Sequence, residues 1–224
     1  MRKTLIRRTI LASLGLASSA VLAHTGDLGH AHDANALTSF VQAALHPLTG
    51  LDHLSAMVSV GLWSALTAGQ GRRGAAHATR SRSMWAAPAA FAATLLVGAL
   101  LGLGGLKLPG VEPMIAASLL VLGLLVSTRT SLPTLAGSAL VSAFALFHGL
   151  AHGAELATTH AVAALAGMAL STAALHALGI AIGLTLRNRQ IGASSTGLWA
   201  PRVAGVGVAV FGATLLTPAL AAAF

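Results

Sequence analysis

Long apolar runs separated by short polar or basic stretches dominate the chain. Six runs lie downstream of residue 50: Leu51–Ala68, Trp85–Gly104, Glu112–Ser127, Leu132–Ala151, Thr159–Leu186 and Ala200–Ala221. Most approach the ~20 residues a helix needs to cross the hydrocarbon core of a bilayer. The third is short, and the fifth is long enough to tilt or to project from the membrane. Pro113, Pro133 and Pro201 sit near predicted helix starts, where a missing N–H does no harm. The pattern predicts an all-α polytopic membrane protein with six transmembrane helices. Upstream, Leu37–Leu45 reads as a short half-helix or interfacial segment, ended by Pro47 and Gly50.

The first run is different. Arg2, Lys3, Arg7 and Arg8 precede an apolar stretch, Thr9–Ala20, that is too short to span with ease. Val21-Leu22-Ala23 then supplies small or apolar residues at the −3 and −1 positions of a cleavage site. Residues 1–23 therefore read as a cleavable signal peptide, with an uncleaved anchor helix as the alternative. Residues 24–36 form a His/Asp-rich tail and residues 37–224 the six-helix transmembrane domain.

Composition agrees with a membrane setting. Hydrophobic residues make up 55% of the chain and charged residues 8%, against about a quarter charged in soluble domains. With no cysteine, disulfides and thiolate metal sites are excluded. The net charge of +8 raises the question of nucleic acid, but its placement answers it. Beyond the N-terminal four, the basic residues are Arg72, Arg73, Arg80, Arg82, Arg129, Arg187, Arg189 and Arg202, with Lys107 apart. If the mature N-terminus is outside, all but Lys107 fall inside, as the positive-inside rule requires. The arrangement implies a multi-pass protein of the bacterial inner membrane with a periplasmic N-terminus and no nucleic-acid partner. The carboxylates Asp27, Asp33, Asp52, Glu112 and Glu155 fall on or near the outer side.

Two constellations carry chemistry. The first runs from His46 through Pro47, Gly50 and Asp52 to His53; the second is Phe147-His148-Gly149-Leu150-Ala151-His152-Gly153-Ala154-Glu155. On a helix, His148, His152 and Glu155 share one face. Both stretches lie at outer helix ends, so they are expected at similar depth. Ionisable groups at membrane depth default to a functional reading. Imidazole and carboxylate without sulfur suit a borderline divalent ion such as nickel, cobalt or zinc. The candidate metal residues are therefore His46, Asp52, His53, His148, His152 and Glu155.

His24, His30 and His32 form a secondary candidate in the tail, with the α-amine of His24 as a further donor after cleavage. His176, well inside the fifth run, is either a second station or a packed core histidine. Met57 is a thioether ligand or a packing residue. Trp63, Trp85 and Trp199 read as interfacial anchors. Gly98/Gly102 and Gly179/Gly183 are GxxxG pairs, which serve either a compact bundle or a homo-oligomer.

At the two constellations the chain resembles the HupE/UreJ family of nickel and cobalt permeases. Its HX5DH motif is matched by His46, Asp52 and His53, and its FHGXAHGXE motif by Phe147 through Glu155. The larger NiCoT transporters carry an HX4DH spacing that is absent here. The resemblance implies a permease rather than an enzyme, with Ni2+ or Co2+ as cargo, no prosthetic group, and the lipid bilayer and the ion as partners. Two other readings stay open from the residues. One is an intramembrane metal-dependent hydrolase using the same His/Asp cluster with Ser55 or Ser59; the other is a metal sensor. No GxxxxGK[ST] motif is present, so transport would draw on a gradient, the membrane potential or a separate partner.

Overall fold

A run of polar residues ending in Asn35 starts the first helix. The Asn35 side chain accepts the Thr38 backbone N–H at 2.9 Å, the standard N-cap bond. The computed structural model describes residues 35–70, 77–156, 158–191 and 196–223. The predicted signal peptide, residues 1–23, and the His24–His32 tail lie outside the described residues. All secondary structure among the described residues is helical: α1 (Ala36–Thr49), α2 (Leu51–Thr67), α3 (His77–Leu103), α4 (Val111–Thr128), α5 (Thr134–Glu155), a 3-10 turn (Thr158–His160), α6 (Ala161–Ile191) and α7 (Thr196–Ala223).

The predicted half-helix is longer than expected. Pro47 lies inside α1 and does not break it; the break is Gly50 alone, with extended backbone at φ −84°, ψ 108°. A proline late in a helix removes one backbone hydrogen bond yet can follow the preceding turn when packing holds it, and Pro47 is buried. Pro201 likewise sits inside α7, past its first turn.

Among the described residues, five helices contain stretches long and apolar enough to cross a membrane: Ser83–Leu103, Val111–Thr128, Thr134–Glu155, Ala161–Asn188 and Trp199–Pro218. Outward-facing Leu124, Leu135, Val162, Leu170 and Val203 leave a surface that lipid satisfies and water does not. The helix α2 differs from them. It has 17 residues, 12 of them buried, and it packs against α3, α4 and α6. At about 1.5 Å per residue it is ~25 Å long. Surrounded by protein, it can carry Asp52, His53, Ser59 and Ser64 in its buried surface.

The main pairings beyond α1 are α3 with α5, α4 with α7, and α2 with α6. Each is a backbone-to-backbone contact at glycine. A Cβ at Gly149 would overlap the Leu95 carbonyl, and one at Gly102 would crowd the Leu150 carbonyl. Similarly, Gly61 meets the His176 carbonyl and Gly179 the Val58 carbonyl. Both GxxxG pairs therefore serve contacts within the chain, as small residues do in lipid. The register makes α3 and α5 parallel, α2 and α6 parallel, and α4 and α7 antiparallel, with Gly123 against Ala209 and Gly212 against Leu120. Exchanging α2–α3–α4 with α5–α6–α7 carries the α3–α5 pair onto the α2–α6 pair and the α4–α7 pair onto itself.

Trp63 corrects an expectation. It is 4% exposed, its ring lies against Gly137, and its Nε1–H donates to the Thr130 carbonyl at 2.9 Å. It ties α2 to the α4–α5 loop and is not a lipid-facing anchor, whereas Trp85 and Trp199 are exposed. Beside Trp63, at the C-terminal end of α2, lies a cavity of about 330 Å³ lined by Ser64, Thr67, Gln70, Ser131 and Thr134 among others. Arg187 closes that end of α2 by donating to the carbonyls of Ala65 at 3.1 Å and Ala68 at 3.3 Å.

Candidate metal centre

The other end of α2 carries the two motifs. Gly50 turns the chain between α1 and α2, so His46 in the last turn of α1 comes back over the first turn of α2. The last two turns of α5 pass alongside, because Gly149 and Gly153 let that helix sit directly on α3. Three helices thus deliver four imidazoles to one place. Ring centroids are 4.3 Å apart for His53 and His152, 5.0 Å for His46 and His152, 5.0 Å for His53 and His148, and 6.0 Å for His46 and His53.

The group is graded in depth. At the rim, His46 Nε2 lies 3.7 Å from a Glu155 carboxylate oxygen, with side chains 29% and 50% exposed. His46, His152 and Glu155 each offer a ligand atom within 4.8 Å of the others. Behind them, His53 and Asp52 are buried, and His53 Nδ1 is 2.9 Å from Asp52 Oδ1. His152 is buried too, and its Nε2 has no hydrogen-bond partner among the described residues. Deepest is His148, fully buried, with Nε2 3.0 Å from Ser118 Oγ.

These contacts fix where lone pairs point. An ionised carboxylate only accepts, so Asp52 takes the Nδ1–H of His53 and leaves the lone pair on Nε2. Ser118 Oγ donates to the Ile115 carbonyl at 2.6 Å, so its oxygen accepts from His148 Nε2–H and the His148 lone pair is on Nδ1. A carboxylate or hydroxyl behind an imidazole is the usual way a ligating histidine is oriented. The electrostatics also favour a cation. The C-termini of α1 and α5, where carbonyl dipoles leave partial negative charge, meet at His46, His152 and Glu155.

The structure gathers all six residues singled out from the two motifs, His46, Asp52, His53, His148, His152 and Glu155. It separates His176, which lies on α6 with its ring 5.2 Å from Phe91. Met57 is fully buried in the core. The hydroxyl that meets a cluster imidazole is that of Ser118, on α4, and neither Ser55 nor Ser59 had pointed there. The signal for it was present: Ser118 is the one hydroxyl residue between Val111 and Val126. Phe91 had no such signal, being one aromatic in an apolar run.

Comparison with known proteins agrees with the motif reading. The family model described as "HupE / UreJ protein" matches residues 11–215. The chain is 36% identical over 209 residues to "Protein HupE" of Rhizobium leguminosarum bv. viciae, covering 93% of this chain and 95% of that protein. No solved structure matches it.

Proposed function

The chain belongs to the HupE/UreJ family, and we propose that it is a secondary transporter that takes up nickel or cobalt across the bacterial inner membrane. The observation that carries this reading is the cluster itself: four imidazoles and two carboxylates at one end of a helix bundle with an apolar exterior. Its nitrogen and oxygen donors suit Ni2+ and Co2+. Its rim is accessible and its floor is buried, as a capture site facing an aqueous side requires.

In this reading α2 is the sixth span. Protein surrounds it, so it needs less apolar character than the lipid-facing helices. The His-bearing end faces the periplasm and the cavity beside Trp63 faces the cytoplasm, consistent with the arginines near that end. A cation moving inward gains about 2.3 kcal/mol per charge per 100 mV, so the membrane potential alone drives uptake. The ion is cargo, no prosthetic group is needed, and no catalytic step is assigned. The mature chain begins at His24, which intact-mass measurement of purified protein checks.

The test is uptake of radioactive nickel and cobalt, with zinc for comparison, into cells or liposomes carrying the protein. Saturable uptake of nickel or cobalt that collapses with the membrane potential supports the proposal. Binding without any flux would reassign the protein as a sensor.

A further inference from the structure

Below the cluster, α6 presents a second polar group that the capture site does not use. His176 is 2% exposed and Thr172 fully buried. They stand one turn apart on α6, so their side chains share a face. His176 Nε2 and Thr172 Oγ1 have no hydrogen-bond partner among the described residues. The neighbouring Ser171 behaves differently, donating to the Met168 carbonyl of its own helix at 3.1 Å. Two buried, unsatisfied polar atoms on one helical face are uncommon, because each forfeits its hydration.

Their position relative to the cluster is set by Phe91. This fully buried ring of α3 lies 5.8 Å from the His148 ring and 5.2 Å from the His176 ring, at 90° to the latter. Phe91 thus contacts both the deepest imidazole of the cluster and His176. The His176 carbonyl faces Gly61 of α2, eight residues or about 12 Å along that helix from His53. His176 is therefore displaced along α2 toward the polar cavity at its far end.

We propose that His176 and Thr172 form a second, deeper station for the transported divalent cation, and that the Phe91 ring is the barrier between it and the outer cluster. The inference rests on the transport reading above. One imidazole nitrogen and one hydroxyl oxygen make a poor permanent site and a good temporary one. Conduction through several weak stations needs that property, since an ion held tightly does not leave. An aromatic barrier suits a cation, because the ring face attracts positive charge as the ion passes.

The experiment pairs two measurements on each variant: equilibrium binding of Ni2+ to purified protein, and initial Ni2+ flux into liposomes under a fixed potential. His176→Gln and Thr172→Val are expected to bind Ni2+ within about 3-fold of wild type while their flux falls at least ~10-fold, the pattern of a lost intermediate step. Thr172→Ser, which keeps the oxygen, restores flux. Phe91→Ala leaves binding in place and changes the flux rate. Wild-type flux in Thr172→Val and His176→Gln would overturn the station. So would loss of Ni2+ binding in either, which would make these residues part of the outer site or of its support. If Thr172→Ser is as slow as Thr172→Val, shape and not the oxygen matters, and the station falls. Absence of flux from wild-type protein that still binds Ni2+ is a separate failure, that of the transport reading, and removes both.

Discussion

Asp52 holds His53 through two bonds from one oxygen: Oδ1 lies 2.9 Å from the His53 ring Nδ1 and 2.9 Å from its backbone N–H. The residue adjacent in sequence thus sets both the tautomer and the tilt of a buried imidazole. In the proposed transport reading, Asp52 acts on the ion through His53, standing behind the ring.

A change that keeps shape but removes charge therefore isolates that role. Asp52→Asn is expected to insert normally and to lower metal affinity by about 10–100-fold, the usual range for a residue that orients a ligating histidine. Calorimetric titration of purified protein with Ni2+ measures it. Unchanged affinity would place Asp52 outside the site.

Glu155 stands at the rim beside His46, and its predicted effect is on capture. Glu155→Gln is expected to cut uptake to a few per cent, with the Asp52→Asn/Glu155→Gln double variant little worse than either alone. Groups acting as one site are not additive. Arg202→Gln, whose guanidinium stacks on Trp199 at 5.6 Å, is the control and retains uptake. Initial rates are normalised to inserted protein. Multiplied losses in the double variant would mean two independent sites.

Protons compete with the metal for imidazole nitrogen. Each ligating ring must be neutral, and the reference pKa of histidine is about 6.5. Protons at low external pH occupy the lone pairs that the ion needs, so uptake falls as pH drops and recovers as it rises. Affinity measured from pH 5.5 to 7.5 tests this, and a flat profile would speak against ligation by histidine.

Helix packing gives a prediction independent of metal. Gly149→Ala places a methyl against the Leu95 carbonyl and the α3 backbone, whereas Gly207→Ala meets nothing within 4 Å. The first is expected to destabilise the protein by roughly 1–3 kcal/mol, and the second to be neutral or slightly stabilising, since alanine is the better helix former. Thermal unfolding in detergent separates them. Equal melting temperatures would mean that α3 and α5 can part at little cost.

Much of this was legible in the chain. Spacing alone placed His148, His152 and Glu155 on one face, and the apolar runs predicted six spans, of which five recur as described helices long and apolar enough to cross a membrane. The glycines announced close contacts but not their partners, because Gly98 pairs with residues some 50 positions away and local pattern carries no such information. Trp63 misled for a related reason: a tryptophan near a helix end reads as an anchor, and only its neighbours Gly137 and Thr130 show that it faces inward. Pro47 misled because the cost of a proline in a helix is set by packing as well as by the lost bond. The partnership of Ser118 with His148 spans 30 residues and two helices, and composition could mark the serine without naming its partner.

Helices that meet backbone to backbone at glycines have little side-chain volume to rearrange at those contacts, so α2 with α6 and α3 with α5 are each stiff beams. The cluster straddles them: His53 and Asp52 belong to the first beam, His148, His152 and Glu155 to the second. The deeper residues divide the same way, His176 on one and Phe91 on the other. In the proposed transport reading, an ion gripping both sides acts as a clasp, drawing the beams together when it arrives and releasing them when it departs. In such a machine the passenger itself works the door, and spin labels on α2 and α5 would register a shorter, narrower distance distribution with Ni2+ bound than without.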